Sequence, residues 1–212
     1  MFKPKRYVHN PIWSFEISLF RSFQKLRQSF SSKAPDVLYA LINSVYWKIN
    51  PNCRGVLTFP IRKNLWLISY DGCKFFVNRL RDGLGYLAPF EPYERYFKIK
   101  AGDVVVDVGA CVGGFAIPAA RKCGKRGIVI AIEPDQENVN KLRENILLNK
   151  LNNIIIVPKA AWNLKGMVTL YHGKSIDSHT LIPNVKVGSH TITSSSGKSR
   201  TVLADTLSSH SF

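Results

Sequence analysis

Residues 104–120 read VVVDVGACVGGFAIPAA, and this stretch restricts the fold more tightly than any other. Its β-branched valines favour an extended strand. Asp107 falls at the strand's end, and a loop with Gly109, Gly113 and Gly114 follows. Glycine lets a backbone take left-handed conformations and approach a ligand closely, because no Cβ intervenes. The small and apolar residues after the loop suit a helix.

The pattern then repeats. A helix ends near Lys122, a strand IVIAIE follows, and a second helix runs from about Asp135 to Asn149. Val139, Leu142 and Ile146 supply its buried face at helical spacing. A third strand is IIIV, with weaker ones at MVTLY and TVLA. Fully apolar strands alternating with helices predict a parallel sheet covered by helices on both sides, the α/β, Rossmann-like class.

The first hundred residues differ. In IWSFEISLFRSFQKLRQSF, the residues Ile12, Phe15, Leu19, Phe23, Leu26 and Phe30 share one helical face. Such a basic amphipathic helix either docks on the core or a partner, or lies on an anionic membrane surface through residues 12–30. A second helix is expected at DVLYALINSVYWKI. Short β-like runs VLTF, LWLISY and KFFVN come next, and Asp71-Gly72 between the last two signals a tight hairpin. The expected organisation is a basic helical segment at 1–50, a small antiparallel β module at 51–100, and a ligand-binding domain at 101–212.

Charge narrows the partners. The 212 residues carry a formal charge of +16. Residues 1–100 hold 17 basic against 6 acidic side chains, and the remainder 13 against 8. A field of this sign favours polyanions such as RNA, anionic lipid or a phosphorylated substrate. The four cysteines are widely spaced without a C-x-x-C pair, so reduced thiols are expected, and no metal site. No apolar stretch is long enough for a membrane-spanning helix, and no signal peptide is evident. A cytoplasmic location, peripheral at a membrane if the first helix binds one, is the expectation.

In an open parallel sheet, ligands sit beyond the carboxyl ends of the strands. Asp107 ends the first strand and Glu133 the second, where an acid can accept hydrogen bonds from both ribose hydroxyls of an adenine nucleoside. A dinucleotide loop requires G-x-G-x-x-G, but Cys111 stands at the second glycine and would crowd a pyrophosphate. An acid, one residue, then glycine and a further glycine suits S-adenosylmethionine, which carries an ammonium and a sulfonium instead of phosphates. Asp107, Gly109 and Gly113 meet that pattern.

The segments GDVVVDVGACVGGFAIPAAR, VIAIEPDQENVNKLRENILLN, NIIIVPKAAWNLKGMVTLY and DSHTL resemble the FkbM-type S-adenosylmethionine-dependent methyltransferases, over residues 90–207. The resemblance implies a three-layer class I methyltransferase fold. It implies that Asp107, Gly109, Ala110 and Gly113 line the methionine side of the cofactor, that Glu133 holds the ribose, and that the backbone at Ala160 and Ala161 meets the adenine. It further implies O-methylation of a hydroxyl on a sugar, glycan or other small molecule. That family continues past the segment resembling TVLADTL with a strand bearing an acidic motif, whereas this sequence ends at SSHSF, so an incomplete sheet is expected.

No catalytic base stands out. His172, His179 and His190 fall after the third strand, where acceptors often sit, and Asp177 with His179 is the pair to inspect first. Two rival readings stay open. One is an RNA (tRNA) methyltransferase, favoured by GGFAIPAARK and the net charge. The other is a non-catalytic binding or membrane-associated protein.

Overall fold

The computed structural model describes residues 57–78, 97–173, 179–182, 185–187, 190–192 and 197–207. The two helices expected near the amino terminus, the LGYLAPFEPYERY lead-in and Asp177 lie outside the described residues.

A three-stranded antiparallel sheet comes first: β1 (Leu57–Arg62), β2 (Leu65–Tyr70) and β3 (Cys73–Val77), in that order. The turn between β2 and β3 is Asp71-Gly72, with φ of 48° and 71°. Two left-handed residues match the twist of paired strands, which is why this dipeptide reads so clearly as a hairpin. Ile68, Phe75 and Val77 form its buried face.

The parallel sheet holds β4 (Val104–Val108), β5 (Ile128–Ile132) and β6 (Ile154–Val157) in the order β4-β5-β6. Asp107 pairs with Ala131, and Val129 with Ile154. Helix α1 (Ala116–Cys123) connects β4 to β5, and α2 (Gln136–Leu148) connects β5 to β6. Ala116, Ala119, Ala120 and Cys123 of α1 and Leu142 of α2 pack in one core with Val129 and Ala131, joined by Val105, Ile154 and Ile156. Both helices therefore cover the same face, as successive right-handed crossovers in one direction require. This is a Rossmann-like α/β unit.

Its helix ends are well defined. Asp135 caps α2, its Oδ1 accepting from the amides of Glu137 and Asn138 at 2.8 and 3.1 Å. At the far end of α1, the Asn153 side-chain amide donates to the carbonyls of Ala120 and Gly124. The same carbonyls also accept backbone amides, Ala120 O from Gly124 and Gly124 O from Gly127.

A second, mixed sheet follows. It contains β7 (Ala160–Ala161), β8 (Gly166–Tyr171) and β11 (Ser199–Asp205), ordered β7-β11-β8. The central β11 is parallel to β7 and antiparallel to β8. Ala160, Leu170, Val202 and Ala204 make its core. A short hairpin of β9 (Val185–Val187) and β10 (His190–Ile192) lies between β8 and β11 in sequence. Among the described residues no helix is long and apolar enough to cross a membrane.

Candidate functional site

The carboxyl ends of β4 and β5 lie side by side, and the loop after β4 bends over them. Gly109 and Ala110 both donate their amides to the carbonyl of Ile132, at 2.9 and 3.0 Å. The bend uses left-handed backbone at Gly109 (φ 83°), Cys111 (φ 49°) and Gly113 (φ 95°).

These glycines serve different ends. A Cβ on Gly109 would meet nothing within 4 Å, so this residue borders open space. A Cβ on Gly113 would lie 2.7 Å from Leu142 Cδ1 and 2.9 Å from Ile117 Cδ1. Gly113 is therefore required by the packing of the loop on α1 and α2. Ala110 is likewise buried in that core. Of the loop positions expected to line a ligand, Gly109 is the one that faces free volume.

Two carboxylates stand at the strand ends. Glu133 is buried, and its oxygens are already engaged: Oε2 accepts from the Cys111 amide at 2.8 Å, and Oε1 from the Asp135 amide at 2.9 Å and Asn138 Nδ2 at 3.4 Å. Burial pushes its pKa up, and these hydrogen bonds oppose the shift. A carboxylate offers about four lone-pair sites. Oε2, with a single donor, retains capacity for a hydroxyl. Glu133 thus holds the loop in place as well as ending β5.

Asp107 is different. Its Oδ2 is buried and accepts no hydrogen bond. Burial foremost, and then Glu133's charge, raise its pKa to about 6 against the opposing effect of the Ala116 amide. An orphaned buried carboxylate oxygen is costly unless something pairs with it. Beside the open position at Gly109, this orphan fits a ligand that brings a cation, as the ammonium of S-adenosylmethionine would.

The other expected contacts come from later in the chain. Ala160 is buried in the core of the second sheet and Ala161 is half-buried, their backbones paired with Ala204 and Asp205 of β11. His172 follows β8, His179 precedes the bridge at Thr180, and His190 begins β10. Sequence reasoning missed the parts played by Asn145 and Asn149. Asn145 Oδ1 accepts from the Phe76 amide at 2.7 Å, and its Nδ2 donates to Val112 O in the glycine loop at 2.9 Å. Asn149 makes the corresponding pair of bonds with Lys74. One face of α2 thereby supplies the edge of β3 with a row of hydrogen bonds and fixes the loop. Their i, i+4 spacing was the available signal.

The family model of the TRM5/TYW2 methyltransferase domain matches residues 90–166. A tRNA (guanine(37)-N(1))-methyltransferase of Candida albicans is 32% identical over 143 residues, covering 64% of this chain and 30% of that protein. A tRNA(Phe) (4-demethylwyosine(37)-C(7)) aminocarboxypropyltransferase of Methanocaldococcus jannaschii is 51% identical over 59 residues, covering 28% and 23%. The solved M. jannaschii TYW2 in complex with AdoMet aligns at 29% identity over 50% of each chain, with a TM-score of 0.36, too low to bear on the fold. The chain spans well under half the length of these curated relatives.

The matched segment is that of a methyltransferase domain, a class that uses S-adenosylmethionine. The FkbM resemblance is overturned: the matching family is TRM5/TYW2, and the relatives above are named for tRNA modification. The residues behind the mistaken resemblance explain it. Gly113, Glu133, Asn145 and Asn149 hold the loop and helix together, so they report the framework and carry no information about the acceptor.

Proposed function

We propose that this chain is part of an S-adenosylmethionine-dependent enzyme that modifies tRNA, with its cofactor held at the ends of β4 and β5. The observation that carries the reading is the match of residues 90–166 to the TRM5/TYW2 methyltransferase domain, because that span contains Asp107, Gly109 and Glu133. The net charge of +16 supports a polyanionic acceptor over the sugar or glycan hydroxyl that the sequence first suggested.

In this reading Asp107 Oδ2 pairs with the cofactor's ammonium and is relieved of its uncompensated burial. Glu133 receives a ribose hydroxyl at Oε2 while its other bonds keep the loop closed. Gly109 admits the ligand because no side chain fills the space beside it. Ala110 and Gly113 support the loop from below, and the adenine lies toward Ala160 and Ala161. When bound, the cofactor supplies an electrophilic carbon on a sulfonium. The protein's contribution is to hold an acceptor atom in line with it.

The test is transfer to tRNA. Radiolabelled S-adenosylmethionine, labelled separately in the methyl group and in the aminocarboxypropyl chain, is incubated with the protein and tRNA lacking base modifications. Label in tRNA, lost in Glu133→Ala, is the expected result, and the label that moves identifies the group transferred. Binding of S-adenosylhomocysteine with no label entering tRNA would overturn the proposed acceptor.

A further inference from the structure

Asp135 is 1% exposed, and only one of its oxygens caps α2. The other, Oδ2, accepts no hydrogen bond. Three nitrogens stand around it: His172 Nε2 at 3.6 Å, Arg200 Nη1 at 3.7 Å and His179 Nδ1 at 4.0 Å. The two imidazoles lie against each other, with ring centroids 4.4 Å apart. One ligand atom from each of Asp135, His172 and His179 lies within 4.8 Å of the other two.

These separations decide between two arrangements. A charge-assisted hydrogen bond from nitrogen to carboxylate spans about 2.7–2.9 Å. Ligand atoms sharing a tetrahedral ion, each about 2.0–2.1 Å from it, sit roughly 3.4 Å apart. The observed 3.6 and 4.0 Å are too long for the first and close to the second. The three ligand atoms lie within 4.8 Å of one another, so a contraction of at most about 1.4 Å would bring all three donors onto one centre.

From this geometry we infer that Asp135, His172 and His179 form a binding site for a divalent transition metal ion. Two imidazole nitrogens and one carboxylate suit zinc and its neighbours, whereas magnesium and calcium prefer oxygen donors. Three protein ligands leave a fourth position for water or another donor. Arg200 is the competing cation. It is 41% exposed and also reaches Glu137 Oε1 at 3.2 Å, so it can give up Asp135 without losing its ion pair. The ion ties the end of β8 to the cap of α2, joining the second sheet to the parallel unit. The proposal departs from the expectation of no metal site: the ligands are 37 and 7 residues apart in sequence, which no short ligand spacing reveals.

The test uses the full chain without a polyhistidine tag, titrated with Zn²⁺ by calorimetry and with Co²⁺ by visible absorption. The expected result is one saturable equivalent, a raised melting temperature with Zn²⁺, and cobalt ligand-field bands without thiolate charge transfer. His172→Ala and His179→Ala should each weaken binding by at least about tenfold. Asp135→Asn should do the same while retaining the cap of α2, and circular dichroism checks that each variant is folded. No saturable binding, binding that persists in the double histidine variant, or a thiolate band would overturn the site.

Discussion

Asp107 and Gly113 lie six residues apart and are constrained by opposite demands. Gly113 answers to packing. An alanine there would combine a left-handed φ of 95° with a Cβ 2.7 Å from Leu142. Gly113→Ala should therefore lower stability by about 1–3 kcal/mol, read from denaturant unfolding, with the loss expressed before any ligand is added. Asp107, in the proposed function, answers to a ligand. With its pKa raised from 3.8 to about 6, the folded chain binds more protons than the unfolded chain between those values. Stability contributed by this group is accordingly greatest below pH 3.8 and falls as pH rises through about 6. Asp107→Asn should stabilise the unliganded chain near neutral pH by about 1–3 kcal/mol, while weakening binding of an ammonium-bearing ligand. A cation favours the ionised carboxylate, so affinity for S-adenosylhomocysteine should rise as pH rises through about 6 and lose that dependence in Asp107→Asn. Calorimetry across this range checks both statements.

At the scale of elements, α2 does more than cross between two strands. Its amphipathic residues Val139 and Leu142 are buried, as the helical spacing predicted, yet Asn145 is fully buried beside them. Removing the amide in Asn145→Ala would leave the Phe76 amide and the Val112 carbonyl without these bonds. The cost should be roughly 2–4 kcal/mol, since each buried polar group left unsatisfied costs about 1–3 kcal/mol. Hydrogen exchange should show the loss concentrated in β3 and the glycine loop. Much of this level was legible in the sequence. The Asp71-Gly72 hairpin, the ends of α2 and the three apolar parallel strands each follow from local chemistry: positive-φ residues, a capping aspartate, and β-branched runs. What could not be read was the docking of β3 on α2, because it depends on amide side chains meeting a strand some 70 residues away.

For the whole molecule, the distinction between framework and acceptor matters most. The positions of Asp107 and Glu133 at adjacent strand ends were legible, since an acid closing each apolar strand is a local pattern. The roles within the glycine loop could not be apportioned from sequence, because Gly109 and Gly113 look alike until the packing of α2 separates them. The FkbM resemblance was mistaken for a related reason: the segments compared were those that build the fold. Net charge carries its own prediction for the proposed acceptor. If tRNA is bound through the basic surface, affinity should fall at least about tenfold between roughly 50 and 200 mM salt, measured by filter binding. Equal affinity at both salts would speak against phosphate contacts.

Cofactor binding at the ends of β4 and β5 is tested most directly by calorimetric titration of the full chain with S-adenosylhomocysteine. The native chain should bind it saturably and take up no NAD, and Glu133→Ala and Asp107→Asn should lose binding while remaining folded. A cooperatively folded native chain that takes up no S-adenosylhomocysteine, or a Glu133→Ala variant that binds it equally well, would contradict the site.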